Sequence, residues 1–138
     1  MSFTEVRYGM VVGPHPATAE AGLEMLRAGG NVIDAIVAAA FTEAVAQPAH
    51  NGVAGYGGCL VACLADRGEV VALDYNTTAP QATHESMYPV EMQEDGVRYR
   101  VPGRVHLHGP QSVGVPGIGG GLCRALEEWG TRDRKSVV

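Results

Sequence analysis

Apolar positions change period along the chain, and each change marks an element. Residues 7–13 (RYGMVVG) have an apolar centre and glycine flanks, which predicts a short buried strand. Pro14-His15-Pro16 stops it, and Pro16 suits the first position of a helix because it has no amide hydrogen to leave unpaired. That helix is expected to run to about residue 28, with Leu23, Met25 and Leu26 toward the core. Glu20 is placed in its first turn and Arg27 in its last, each favoured by the helix dipole. Gly29-Gly30 supplies a left-handed cap. Asn31 reads as the N-cap of a second helix, with Asp34 at the capping-box position. Its body, residues 32–46, is apolar over most of its circumference and thinned by alanines. A nearly buried helix packed on a sheet is expected, ended by Gln47-Pro48.

The period then shortens. Residues 51–58 (NGVAGYGG) hold four glycines in eight positions, and positive φ is expected at several of them. Residues 59–65 (CLVACLA) read as a central strand. Asp66-Arg67-Gly68 reads as a hairpin turn and residues 69–75 (EVVALDY) as the returning strand. Residues 76–87 are expected to be loop and turn. The pattern then weakens: residues 97–101 (VRYRV) and 113–115 suit short strands. Residues 117–129 form an amphipathic helix with Ile118, Leu122, Leu126 and Trp129 on one face. The fold class is α/β in the α+β sense, with helices on a mainly antiparallel sheet.

Composition narrows the function. At 138 residues, 46% hydrophobic and 18% charged, the chain is globular and sized for one domain. A formal charge of −5 offers no basic footprint, so nucleic acid is not an expected partner. No apolar run approaches the roughly 20 residues of a membrane span, and no membrane association is expected. The first residues lack a basic segment followed by a long apolar run, so a cytoplasmic location is the expectation. Cys59 and Cys63 share one strand face, too far apart for a mutual disulfide; with Cys123 they are expected as buried free thiols.

The chemistry-bearing residues form no catalytic constellation. Gly117-Ile118-Gly119-Gly120-Gly121 opens a helix and could cradle a phosphate, but it fits neither a dinucleotide fingerprint nor a Walker loop; tight helix–sheet packing is expected instead. His106 and His108 would share a face of a strand, without a third metal ligand in register. His15, His50 and His84 are scattered. Ser112, Thr77 and Thr78 are hydroxyls with no base placed to activate them. Cys123 lies inside the last helix, away from the N-terminus that would depress its pKa. From the residues alone the reading ends at an α/β domain.

Six motifs in order carry a resemblance: GMVV at Gly9, HP…EAGLEML at His15, GGNVIDAIVAAA at Gly29, GVAGYGG at Gly52, VVALDYNTTAP at Val70 and GVPG…G-L at Gly114. Together, over about residues 8–130, they resemble the large-subunit N-terminus of the γ-glutamyltransferase (glutathione hydrolase) family. The resemblance implies a partial N-terminal-nucleophile hydrolase fold, a four-layer αββα sandwich left incomplete by this chain. It implies a precursor that cuts itself, so that the new N-terminal Thr of a small subunit becomes the nucleophile with its own α-amine as base. That Thr attacks a γ-glutamyl amide, commonly glutathione, and the acyl group passes to water or to an amino acid or peptide. No metal or organic cofactor is implied.

The Thr, the oxyanion hole and most substrate contacts of the family belong to the small subunit, which is the implied partner. These residues are expected to be inactive alone, with no catalytic residue among them. The family's large-subunit contact is an Arg in an RE-x-AP-like motif that pairs with the glutamyl α-carboxylate. Here Asn76 stands at that position in Asn76-Thr77-Thr78-Ala79-Pro80, which makes Asn76 the candidate substrate-binding residue. Asparagine cannot offer a charged bidentate fork, so a related amidohydrolase or acylase with another acyl group is the alternative, beside a small α/β binding module without catalysis. Residues 1–132 are expected to be family sequence. Residues 133–138 (DRKSVV) correspond to the translation of a common sequencing adapter and are expected to be a non-native tail. Exposed strand edges and an exposed apolar helix face including Trp129 are expected to make the chain aggregation-prone.

Overall fold

The structure is a computed structural model that describes residues 9–53 and 55–138. The chain divides into two compact units, residues 1–77 with 116–138, and residues 78–115.

The first unit holds the core. Helix α1 (Pro16–Arg27) starts on Pro16, with the His15 imidazole accepting from the Ala17 amide at 3.1 Å. Because the helix begins there, Glu20 falls in its second turn and not its first. Its carboxylate pairs with Arg27 at 2.6 Å on the exposed face. The helix ends in a Schellman turn: Gly29, at φ +82°, donates to Leu26 O, and Gly30 donates to Met25 O.

Helix α2 (Val32–Ala46) follows at once, and the expected capping box is present. Asn31 Oδ1 accepts from the amides of Ile33 and Asp34, and Asp34 Oδ2 accepts from the Asn31 amide at 2.7 Å. The two helices pack closely because α1 carries Gly22 at the contact. A Cβ there would lie 3.0 Å from Ala35 O and 2.8 Å from Val11 Cγ1. The buried Thr18 hydroxyl donates to the buried Glu43 carboxylate at 2.5 Å, joining the helices at their other end.

Strands β1 (Cys59–Leu64) and β2 (Glu69–Asp74) form the antiparallel hairpin, in the register Cys59–Asp74 to Leu64–Glu69. Gly68 takes φ +65° in the turn. Helix α3 (Ile118–Trp129) and the single turn α4 (Arg134–Val137) complete the unit. Ile33, Val37 and Ala38 of α2 meet Leu60 and Leu64 of β1, Ile118, Leu122, Ala125 and Leu126 of α3, and Val137.

Asp34 ties this core to the far end of the unit. It is fully buried, and besides the Asn31 amide its carboxylate accepts from the Thr131 hydroxyl at 2.6 Å and from the amides of Thr131 and Arg132. Asn31 Nδ2 donates to Trp129 O at 2.7 Å. Burial pushes the Asp34 carboxyl up, but the hydrogen bonds from Thr131, Asn31 and Arg132 outweigh it and hold the pKa below the usual carboxylate value.

Several expectations change. Residues 9–13 form no strand; they run beside α1, where Val11 sits on Gly22, and have no ladder partner among the described residues. Residues 7 and 8 lie outside the described residues. Among the described residues β1 pairs only with β2, and only one of its faces is covered. Leu60 and Leu64 point inward, and Cys59, Val61 and Cys63 point out. Cys59 and Cys63 are therefore exposed thiols, and Cys123 is half-buried. Helix α2 is not fully covered either, since Val32, Ile36 and Val45 reach the surface. The apolar face of α3 is buried, and Trp129 packs against the core. In the first unit the exposed large apolar side chains lie instead on the hairpin, on α2, on Met10 and Val12, on Val53 and Tyr56 of the glycine-rich loop, and on Val138.

The second unit has none of its described residues buried. It is closed by one bridge, Val115 N to Thr78 O at 2.9 Å, and by Tyr88 donating to Gln111 O at 2.5 Å. Strands β3 (Glu91–Met92) and β4 (Tyr99–Arg100) are two residues each. The strand expected over residues 97–101 shortens to β4, and that over 113–115 to the single bridge. Val97 and Tyr99 share a face, as do Val113 and Val115, but all four are exposed, so no packing anchors a longer ladder. Asp95 organises the turn between β3 and β4, accepting from the amides of Val97 and Arg98 and from the Arg98 side chain. These bonds hold its carboxyl below its usual pKa.

Candidate functional site at the end of strand β2

Asn76 sits two residues past β2, where three backbone segments converge. The Tyr75 amide donates to Gly58 O at 2.9 Å, which extends the hairpin by one rung. The Thr77 hydroxyl donates to Tyr56 O and, at 3.4 Å, to Gly55 O. Gly57 is at φ +141°, a region only glycine enters freely. A Cβ on it would lie 2.5 Å from Asn76 Cα and 2.6 Å from Thr77 N. The glycine-rich loop is thus pressed against Asn76, and its glycines permit that approach. Asn76 itself is exposed, and its backbone N–H donates to Asp74 Oδ1 at 3.0 Å.

The start of α3 backs the same point. A Cβ on Gly117 would collide with Tyr75 O, and one on Gly121 with the Tyr75 side chain. These glycines serve close packing on Tyr75, as expected, and not a phosphate cradle. Tyr75 is half-buried there; burial, and secondarily Cys59, push its hydroxyl pKa up. Gly119 and Gly120 face open space.

The other candidates do not join this site. His106 and His108 lie in turn and bend, not on a strand, and the His106 and Tyr88 rings stand T-shaped with centroids 6.3 Å apart. Ser112 Oγ donates to Gly109 O at 2.8 Å, and Thr78 carries the bridge to Val115. Thr77 is engaged by loop carbonyls and has no base beside it among the described residues. Among these residues no group of three His, Cys, Asp or Glu side chains is placed to hold a metal, and no helix is long and apolar enough to cross a membrane. The hydroxyl of Thr77 as a loop tether was not legible beforehand, because its partners lie 21 and 22 residues upstream.

The loop, the hairpin and the glycine-started helix recur in known proteins. The gamma-glutamyltranspeptidase from Helicobacter pylori superposes with a TM-score of 0.81 at 33% identity, covering 99% of this chain and 37% of that one. The gamma-glutamyltranspeptidase from Pseudomonas nitroreducens complexed with L-DON also gives 0.81 at 33% identity, over 96% of this chain and 37% of that one. The fold is therefore the mixed helix and antiparallel-sheet fold of the N-terminal-nucleophile hydrolases, of which this chain supplies a part. Among curated relatives, the Acylase ACY 1 proenzyme of Pseudomonas sp. (strain SE83) is 42% identical over 130 residues, 94% of this chain and 23% of that protein. The Glutathione hydrolase proenzyme of Bacillus subtilis (strain 168) is 34% identical over 94% of this chain and 21% of that protein. The family model described as Gamma-glutamyltranspeptidase matches residues 18–138. The chain belongs to the gamma-glutamyltranspeptidase family. It spans less than a quarter of the length of these two curated relatives.

Proposed function

We propose that this chain is the large-subunit N-terminal part of an amide-cleaving acyltransferase, with Asn76 as its contact to the acyl group. In the complete protein an N-terminal Thr of a small subunit attacks a γ-glutamyl or related amide, and the acyl group passes to water or to an amino acid or peptide. The observation that carries this reading is the convergence on Asn76. The glycine loop, β2 and the start of α3 hold that backbone from three sides while its side chain stays exposed. A residue fixed at the backbone and free at the side chain is preorganised to meet a ligand. The names of both relatives, which call them proenzymes, support processing from a precursor.

A second reading concerns the acyl group. Asn76 is uncharged, and the carboxylate beside it is that of Asp74. A glutamyl α-carboxylate would gain no ion pair from residues 74–77 and would face a like charge, which favours an acyl group other than γ-glutamyl. The 42% identity to an acylase, against 34% and 37% to two glutathione hydrolases, points the same way. The test is to express the full-length precursor, look for its division into two chains, and assay p-nitroanilide donors carrying γ-glutamyl, acetyl and phenylacetyl groups. Division with hydrolysis of at least one donor is expected. An undivided chain that cleaves none would end the proposal.

A further inference from the structure

We propose that Tyr56 forms a second wall of the acyl site at Asn76 and selects donors whose acyl chain presents a flat or apolar surface. This rests on the assignment of Asn76 to the acyl site. The backbone of Tyr56 is tied on its C-terminal side. Its carbonyl accepts from the Thr77 hydroxyl, and its neighbour Gly57 is pressed against Asn76 Cα. The ring, by contrast, is free: Tyr56 is 89% exposed, and its hydroxyl has no hydrogen-bond partner among the described residues. Gly55, Gly57 and Gly58 surround it in sequence, so no neighbouring side chain on that stretch shields it.

A large aromatic side chain held on a rigid backbone and left in water has most of its contact area still to bury. It loses little conformational freedom when it does so, having few rotatable bonds. The ring supplies a flat apolar face and the phenol a hydrogen bond at its tip. Asn76, one pinned contact away, supplies an uncharged amide. Together they suit an acyl chain that is planar or apolar near the amide and ends in a neutral polar group. Neither residue suits a carboxylate-terminated chain, with Asp74 adjoining.

The full-length, processed enzyme with phenylacetyl-, acetyl- and γ-glutamyl-p-nitroanilide provides the test. Tyr56→Ser and Tyr56→Leu are compared with Tyr56→Phe and with Asn76→Ala. Tyr56→Ser is expected to raise KM for the phenylacetyl donor about tenfold, the size of one lost aromatic contact, with kcat retained. Acetyl donor kinetics change least, Tyr56→Phe keeps the phenylacetyl KM because that acyl group offers the phenol no partner, and Tyr56→Leu falls between. Equal changes on all donors, or none, overturn the proposal. If Asn76→Ala shifts donor preference while the Tyr56 variants do not, Tyr56 is excluded and the site at Asn76 stands. If neither position shifts it, both assignments fall.

Discussion

Asp34 shows how much a single residue can carry that its sequence position does not reveal. Its capping-box role was legible from Asn31 three residues before it. Its second set of donors, Thr131 and Arg132, lies 97 and 98 residues downstream, beyond the reach of any local pattern. Glu43 is similar: an acid on an apolar helix reads as surface, yet it is buried against Thr18, 25 residues upstream. Replacing Asp34 with Ala removes the shared acceptor of the part-buried Asn31, Thr131 and Arg132 amides and of the Thr131 hydroxyl. It should cost about 2 kcal/mol, read as a fall in the thermal midpoint of the full-length protein. The pH dependence has a definite sign. The folded pKa lies below the unfolded value of about 3.9, so the carboxylate's stabilisation is fully present above about pH 4 and is lost as pH falls through the folded value. The gap in midpoint between wild type and Asp34→Asn should therefore shrink on acidification below pH 4. A gap that stays constant down to pH 2 would mean the carboxylate's charge does not matter.

Elements were legible where local chemistry decides them. Both caps of the α1–α2 junction, the hairpin turn and the amphipathic face of α3 follow from residue type and spacing alone. Elements that depend on a partner were not. Residues 9–13 have a strand's composition but pack on α1 through Gly22, and β1 has a central strand's composition but one neighbour among the described residues. The glycine-rich opening of α3 was the most ambiguous, since packing and anion binding ask for the same residues. The structure separates its glycines by surroundings, which gives a paired prediction. Gly121→Ala drives a methyl into Tyr75 and should destabilise by about 2 kcal/mol. Gly120→Ala, next to it, meets open space and should stabilise by about 0.5–1 kcal/mol through helix propensity. Thermal unfolding of the two variants checks this. Equal effects at the two positions would refute the packing role.

At the scale of the molecule, the first unit has a closed core on one side and an apolar strip on the other. Val61, Cys59 and Cys63 on β1, Val70 on β2, and Val32 and Ile36 on α2 are all exposed. In the 138-residue chain, Cys59 and Cys63 should react with a thiol reagent well before Cys123, and in the full-length protein the same two thiols should be protected. Equal reactivity in both forms would show that the strip stays open. Whether position 76 meets the acyl group is read from kcat/KM of the full-length enzyme and its Asn76→Arg variant on γ-glutamyl- and phenylacetyl-p-nitroanilide. A guanidinium there can pair with the glutamyl carboxylate through charge-assisted bonds, so the γ-glutamyl to phenylacetyl ratio should rise at least about tenfold. A ratio unchanged by the substitution, in an enzyme that still folds and turns over, would show that Asn76 does not touch the substrate.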